Sequence, residues 1–149
     1  MADITNINIR IPGVNAATNF VQEYAFGIDF VTLSGIAATG THSIFKLPKG
    51  EALVGLRVIA VESATSGGAA TLQFKVSVNG TAANINSSTV ALAGLAKGMV
   101  QRFNASGIKT FDSDVESVIQ MTVGTAAYTG GKLLVIAETI PVDAYKING

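Results

Sequence analysis

His42 is the only histidine in this 149-residue chain, and there is no cysteine. A single imidazole narrows the possible chemistry at once. Zinc is usually held by several nitrogen or sulfur donors. Glu23 and Asp29 could add oxygen ligands, but they fall in other predicted elements. Serine hydrolysis needs a nucleophile, a base and an orienting acid. Serines are plentiful, yet no Gly-x-Ser-x-Gly turn occurs and His42 is the one available base. The lack of thiols excludes thiolate nucleophiles, disulfides, Cys-ligated zinc and iron–sulfur clusters. His42 therefore reads as a residue at the surface or loop edge of a strand. No catalytic, metal or cofactor site is expected.

The other chemical groupings are similarly thin. Asp112, Asp114 and Glu116 form the densest acidic cluster. On an extended strand these alternate positions would share a face. A weak calcium site or a glycosidase-type pair are the functional readings. Calcium wants six to eight oxygens, and no Asp-x-Asp-x-Asp-Gly loop is present, so a solvated loop entering the next strand is preferred. Gly67-Gly68 lacks the Lys-Ser or Lys-Thr of a phosphate loop, and Thr129-Gly130-Gly131-Lys132 precedes a strand rather than a helix. Lys97, Arg102 and Lys109 lie near Phe103 and Phe111, a combination that suits single-stranded nucleic acid. A chain with as many acidic as basic residues lacks the basic excess that such binding needs, and no nucleic-acid partner is expected.

The elements that would position these groups are β-strands. Ile, Val and Thr make up more than a quarter of the chain, and only 13% of residues are charged. That composition argues against disorder. The length suits one domain. No apolar run approaches the roughly 18 residues of a membrane span, and residues 1–5 do not open a signal peptide. No membrane partner is expected. A mean hydropathy on the apolar side combined with zero net charge gives little colloidal protection. Either a partner covers apolar surface, or the core is unusually rich in small residues.

Strand patterns run along the chain. Ile7, Ile9 and Ile11 alternate with Asn6, Asn8 and Arg10, as in a half-buried strand ended by Pro12-Gly13. Val14–Phe26 is ambiguous: Phe20 and Tyr24 have helical spacing, but a short helix or an extended arm both fit. Strands are predicted over Ile28–Leu33, Ser43–Leu47 and Leu53–Val61, with a small-residue turn from Gly35 to Gly40 and a loop over Ser63–Gly68. Leu53–Val61 is apolar on both faces, which marks a central strand or one lying under another layer. In Thr71–Val78, Leu72, Phe74, Val76 and Val78 point inward, and Asn79-Gly80 then suits a two-residue hairpin turn into Thr81–Ile85. Ser87–Leu95 fits a short helix or a strand. Met99–Phe103, Ile108–Phe111, Val115–Val123 and the apolar Leu133–Ile140 complete the strands, with a turn at Thr129-Gly130-Gly131. Many short strands joined by turns predict an all-β antiparallel sandwich or barrel. Residues 1–40 would be an N-terminal strand and arm packing on or between subunits, and 41–149 the sandwich body, one domain overall.

Phe45-Lys46-Leu47-Pro48-Lys49-Gly50 running into Leu53–Glu62 is one of several stretches that together resemble a known class. The others are Thr71 to Gly80 after a Gly/Ala loop, and Val118–Val123 with Thr129-Gly130-Gly131-Lys132 and Leu133–Ile140. Over Thr41 to Val142 the chain resembles small tailed-phage virion proteins of the capsid decoration (cement) or head-fibre type. Where that class has Gly-Asp after the second strand, Asn79-Gly80 stands here. The resemblance implies a jelly-roll-like β-sandwich with no enzymatic activity. It implies a symmetric oligomer, expected to be a homotrimer, made in the host cytoplasm. In the virion such a protein sits on the capsid exterior, binds the major capsid protein and clamps the lattice. Ile7, Ile9, Ile11, Phe20 and Tyr24 are the expected oligomer or capsid contacts. The alternative function is a receptor- or glycan-binding module of a fibre or tail, which would show an exposed aromatic patch at Tyr24, Tyr128 or Tyr145.

Overall fold

The computed structural model describes residues 22–110 and 115–141. Ile7, Ile9, Ile11, Phe20, Phe111, Asp112, Asp114 and Tyr145 lie outside the described residues. The chain folds into two antiparallel sheets packed face to face, a jelly-roll-like β-sandwich. Its strands are β1 (Gln22–Asp29), β2 (Gly40–Leu47), β3 (Glu51–Ser66), β4 (Thr71–Val78), β5 (Thr81–Asn84), β6 (Val90–Ala91), β7 (Val100–Asn104), β8 (Ser117–Gly124) and β9 (Tyr128–Pro141). The first sheet has the order β1-β9-β3-β7, and the second β2-β8-β4-β5, with β6 pairing the start of β4. The chain passes repeatedly from one sheet to the other, so each sheet is held by strands distant in sequence.

Period-two patterning builds the core. Leu72, Phe74, Val76 and Val78 of β4, Ile119, Met121 and Val123 of β8, and Leu133, Val135 and Ala137 of β9 all face inward and are almost fully buried. Asn79 and Gly80 both have positive φ, at 52° and 83°, as the two-residue hairpin between β4 and β5 requires. At one side of the sandwich, edge strands β1 and β2 are sealed by aromatic rings: Phe26 stacks on Phe45 at 5.1 Å and Tyr24 tilts against it at 5.6 Å. Phe30 stacks on Tyr128 at 4.4 Å.

Several element boundaries depart from expectation, each for a physical reason. The ambiguous stretch before Phe26 contributes β1, whereas the strand expected over Ile28–Leu33 stops at Asp29. There the Asp29 carboxylate accepts the N–H groups of Val31 (3.0 Å) and Thr32 (3.3 Å), turning the chain out of the sheet. Burial disfavours the Asp29 charge, but those N–H donors, the Thr32 side chain and Lys132 outweigh it and hold its pKa below the ordinary value. The Gly35–Gly40 turn instead contains the short helix α1 (Ser34–Ala37). Ser87–Leu95 holds both candidates, the short β6 and a 3-10 turn over Leu92–Leu95. Ile108–Thr110 is not a strand.

The largest revision concerns β3 and β9. Ser63–Ser66 of the predicted loop and the whole predicted Thr129-Gly130-Gly131 turn belong to these two long strands, paired from Glu51↔Pro141 to Ser66↔Tyr128, while Gly67 and Gly68 lie outside β3. Glycine permits this. A Cβ on Gly131 would lie 2.6 Å from the Ala64 Cα, and its φ is +114°. The Gly-Gly pair thus lets β3 approach closely instead of reversing the chain. A bulge between Leu53 and Gly55 sets which residues of β3 face inward. Leu53 joins Leu56, Val58 and Ala60 in the core, and Val54 turns outward at 39% exposure.

Candidate functional surface

The residues first considered for chemistry are dispersed into structural roles. The His42 ring donates from Nε2 to the Ala38 carbonyl at 2.7 Å, and His42 lines neither groove described below. Among the described residues, no group of three or more His, Cys, Asp or Glu is placed to hold a metal ion. Arg102 lies on the outer face of the first sheet, 3.2 Å from Glu138, while Phe103 points inward, 6.3 Å from Phe74. Arg102 and Phe103, two members of the grouping considered for single-stranded nucleic acid, therefore face opposite ways. Tyr24 is half-buried. Its hydroxyl donates to Glu51 at 2.8 Å, and the same carboxylate accepts from Thr139 at 2.7 Å. Burial first, then the Glu51 hydrogen bond and charge, push the Tyr24 phenol up to about 12. Tyr128 is 4% exposed, and burial raises its phenol to about 12 as well. Neither ring supplies the exposed aromatic platform expected of a glycan-binding module.

A polar cleft of about 740 Å³ lies between edge strands β5 and β7, lined by Asn84, Ser87, Thr89, Gln101, Arg102 and Asn104 among others. Its lining offers amides, hydroxyls and the Arg102 guanidinium but no carboxylate, imidazole or ammonium. Nothing there can shuttle a proton near neutral pH.

The notable surface is the outer face of the first sheet. Across its four strands, Gly27 of β1 stands opposite Leu134 of β9, Leu134 opposite Ile59 of β3, and Ile59 opposite Val100 of β7. Leu134 and Ile59 alternate with buried neighbours, and Gly27 and Val100 are more exposed than the residues that follow them, so all four look away from the core. A complete cross-strand row is thus apolar on the side that should meet water. Val100 in the row is 57% exposed, Ile136 adjoins the row, and Val61 (49%), Met99 (42%) and Leu33 (44%) are exposed around it. Gly27, Leu33, Val61 and Leu134 line a shallow groove of about 530 Å³.

Charge frames the row. On one side Arg57 pairs with Glu23 and with Glu138 (3.3 Å), and Arg102 with Glu138. On the other, Lys132 lies 3.5 Å from Glu62. An apolar strip bordered by charged pairs has the anatomy of an interaction surface, with a dry centre and a polar rim. The second sheet is the contrast. Its outward positions are Thr71, Gln73, Lys75 and Ser77 on β4 and Val118, Gln120 and Thr122 on β8. That face is mostly polar, as a solvated antiparallel sheet should be.

None of the row residues was named as a contact from sequence. The signal was nevertheless present: Leu53–Val61 and Leu133–Ile140 are apolar on both faces, which one buried face does not explain. What sequence could not supply was the adjacency of β3 and β9, which merges two short apolar stripes into one row.

No family model matches the sequence, and no curated protein does. Solved structures do match by fold. A chain of the capsid of Ralstonia phage GP4 is 20% identical with a TM-score of 0.51, over 80% of this chain and 83% of that one. A chain from the cyanophage Pam1 capsid asymmetric unit is 16% identical with a TM-score of 0.54, over 80% and 84%. A chain from the acid-stable capsid of Helicobacter pylori bacteriophage KHP30 is 11% identical with a TM-score of 0.50, over 82% and 88%. At these identities what is shared is the fold: a β-sandwich also found in chains of phage capsids.

Proposed function

We propose that this chain is a structural protein of a phage virion, a decoration (cement) protein without catalytic activity. It docks on the exterior of the capsid lattice through the outer face of its first sheet. The observation that carries this reading is the apolar row Gly27–Leu134–Ile59–Val100, set in a charged frame on a sheet whose counterpart is polar. The fold shared with chains of three phage capsids supports a virion role. A closed homotrimer is the expected assembly, since soluble homo-oligomers usually adopt closed point-group symmetry, and its contacts leave the docking face free. The partner is the major capsid protein, and the rigid sandwich clamps neighbouring lattice units.

The test is thermal. Undecorated phage capsids are heated with and without the purified protein. Decoration raises their disruption temperature in proportion to the amount bound. Absence of binding, or binding with no gain in heat resistance, contradicts the reading. The same protein on a glycan array checks the fibre-module alternative, for which no binding is expected.

A further inference from the structure

The two open sides of the sandwich are finished differently. At β1 and β2 the rings of Tyr24, Phe26 and Phe45 close the gap between the sheets. At β5 and β7 the polar cleft of about 740 Å³ leaves it open. We infer that this cleft is an acceptor for an extended peptide strand of the docking partner, which adds to the free edge of β7 as a fifth strand of the first sheet. That the strand comes from a lattice partner rests on reading the first sheet as the docking face.

Backbone register identifies the acceptor. Where β3 meets β7, the Ala60 N–H donates to Met99 at 2.9 Å and the Ala105 N–H to Val54 at 3.2 Å. Bonded pairs alternate along an antiparallel ladder, so Gln101 and Phe103 also bond to β3. Val100, Arg102 and Asn104 then point their N–H and C=O groups the other way. β7 ends its sheet, and among the described residues no backbone group of another element pairs with these three. Donors and acceptors thus repeat along the edge at every second residue, about 7 Å apart. An extended main chain repeats its own groups at the same interval, which is the basis of strand addition. Gln101 to Asn104 all line the cleft, whereas Asn84 is the one β5 residue that does. The opposite wall carries Ser87, Ser88 and Thr89, whose hydroxyls can meet the far edge of the added strand.

Side chains set the chemistry of the incoming strand. Its alternate residues stand beside Val100, Arg102 and Asn104 on the outer face, and beside Gln101 and Phe103 on the cleft side. Val100 ends the apolar row, so an apolar residue beside it carries the row onto the partner. The Arg102 side chain is 60% exposed and shares the Glu138 carboxylate with Arg57, which leaves guanidinium donors for a carboxylate on the added strand. No carboxylate lines the cleft to repel it. A second copy fits less well, because two β7 strands paired about their centres would set Arg102 against Arg102. The partner strand is therefore acidic at its middle, with an apolar residue two positions away on the same face.

The probe is a capped peptide, Ser-Val-Thr-Glu-Thr-Val-Ser, whose central glutamate meets Arg102 in either strand direction. In the free full-length protein, the amide hydrogens of Val100, Arg102 and Asn104 should exchange with solvent several-fold faster than those of Gln101 and Phe103. With millimolar peptide those three amides should slow several-fold and shift in nitrogen–proton NMR spectra. A peptide N-methylated at the glutamate and the second valine keeps its side chains, loses main-chain donors and should not bind. Lysine in place of the glutamate should weaken binding several-fold. On the protein, Asn104→Pro removes an outward N–H without cutting the ladder to β3 and should abolish binding, whereas Asn104→Ala should keep it. Edge amides already as slow as those of Gln101 and Phe103 in the free protein, no response to the peptide, or an equal response to its N-methylated form would each overturn the inference. These three readouts use the unsubstituted protein, so they decide even where the proline variant fails to fold. None uses a capsid, so refusal of the peptide leaves docking through the apolar row standing, and failure to decorate a capsid leaves the peptide result standing.

Discussion

Asn86 acts in place of a strand. On the open side of β4 the ladder passes from β6, which pairs Thr71 and Leu72, to β5, which begins its pairing at Lys75. In the gap, Asn86 Oδ1 accepts the Phe74 N–H at 2.7 Å, and its amide donates to the Ser88 carbonyl at 2.7 Å and, more weakly, to Leu72 at 3.4 Å. Asn86 is 4% exposed, so its loss would leave buried backbone groups unpaired. Asn86→Ala should destabilise the protein by about 2–3 kcal/mol in urea unfolding. Tyr24 and Tyr128 set the alkaline behaviour. Both phenols are raised to about 12, so the folded state favours their neutral forms. That contribution is complete below the ordinary value near 10 and fades as pH rises from about 10 through 12. The melting temperature should fall over that window. A Tyr24→Phe and Tyr128→Phe double variant should fall less steeply, and absorbance titration should lose the phenol steps near 12.

At the level of elements, legibility followed the strength of local patterning. β4, its Asn79-Gly80 turn and β8 were readable because each alternates cleanly and is bounded by turn residues. β1 was obscured because Tyr24 and Phe26 are only half-buried at a sheet edge, where Ala and Gly dilute the alternation. β3 and β9 were truncated in the reading because Gly130-Gly131 and Gly67-Gly68 carry the local signature of turns. Only the tertiary contact between Gly131 and Ala64 shows that one of these pairs serves close strand approach. Gly131→Ala should therefore cost at least about 1–3 kcal/mol from its backbone conformation, with further loss from the clash. Gly27→Ala, with free space at its Cβ, should leave stability unchanged or slightly improved. Equal effects from the two substitutions would contradict the assignment of Gly131 to a packed strand.

On the scale of the whole molecule, the two faces of the sandwich differ in kind. Composition had left two sources open for the high hydropathy, a small-residue core or apolar surface for a partner to cover, and the structure shows both buried small residues and an apolar outer row. Ala60, Ala64, Ala70, Ala105 and Ala137 are buried, and an apolar row lies outside. The division between faces appears only when strands distant in sequence are brought side by side, which is why it was illegible in the linear chain. The decisive measurement compares the faces directly, by co-sedimenting folded variants with undecorated capsids. Ile59→Gln with Leu134→Gln should lower capsid binding at least tenfold at unchanged circular dichroism, on the order of 1.4 kcal/mol or more. Gln73→Ala with Gln120→Ala on the second sheet should leave it as in the unsubstituted protein. Undiminished binding by the first-sheet variant, or loss only in the second-sheet variant, would contradict the account.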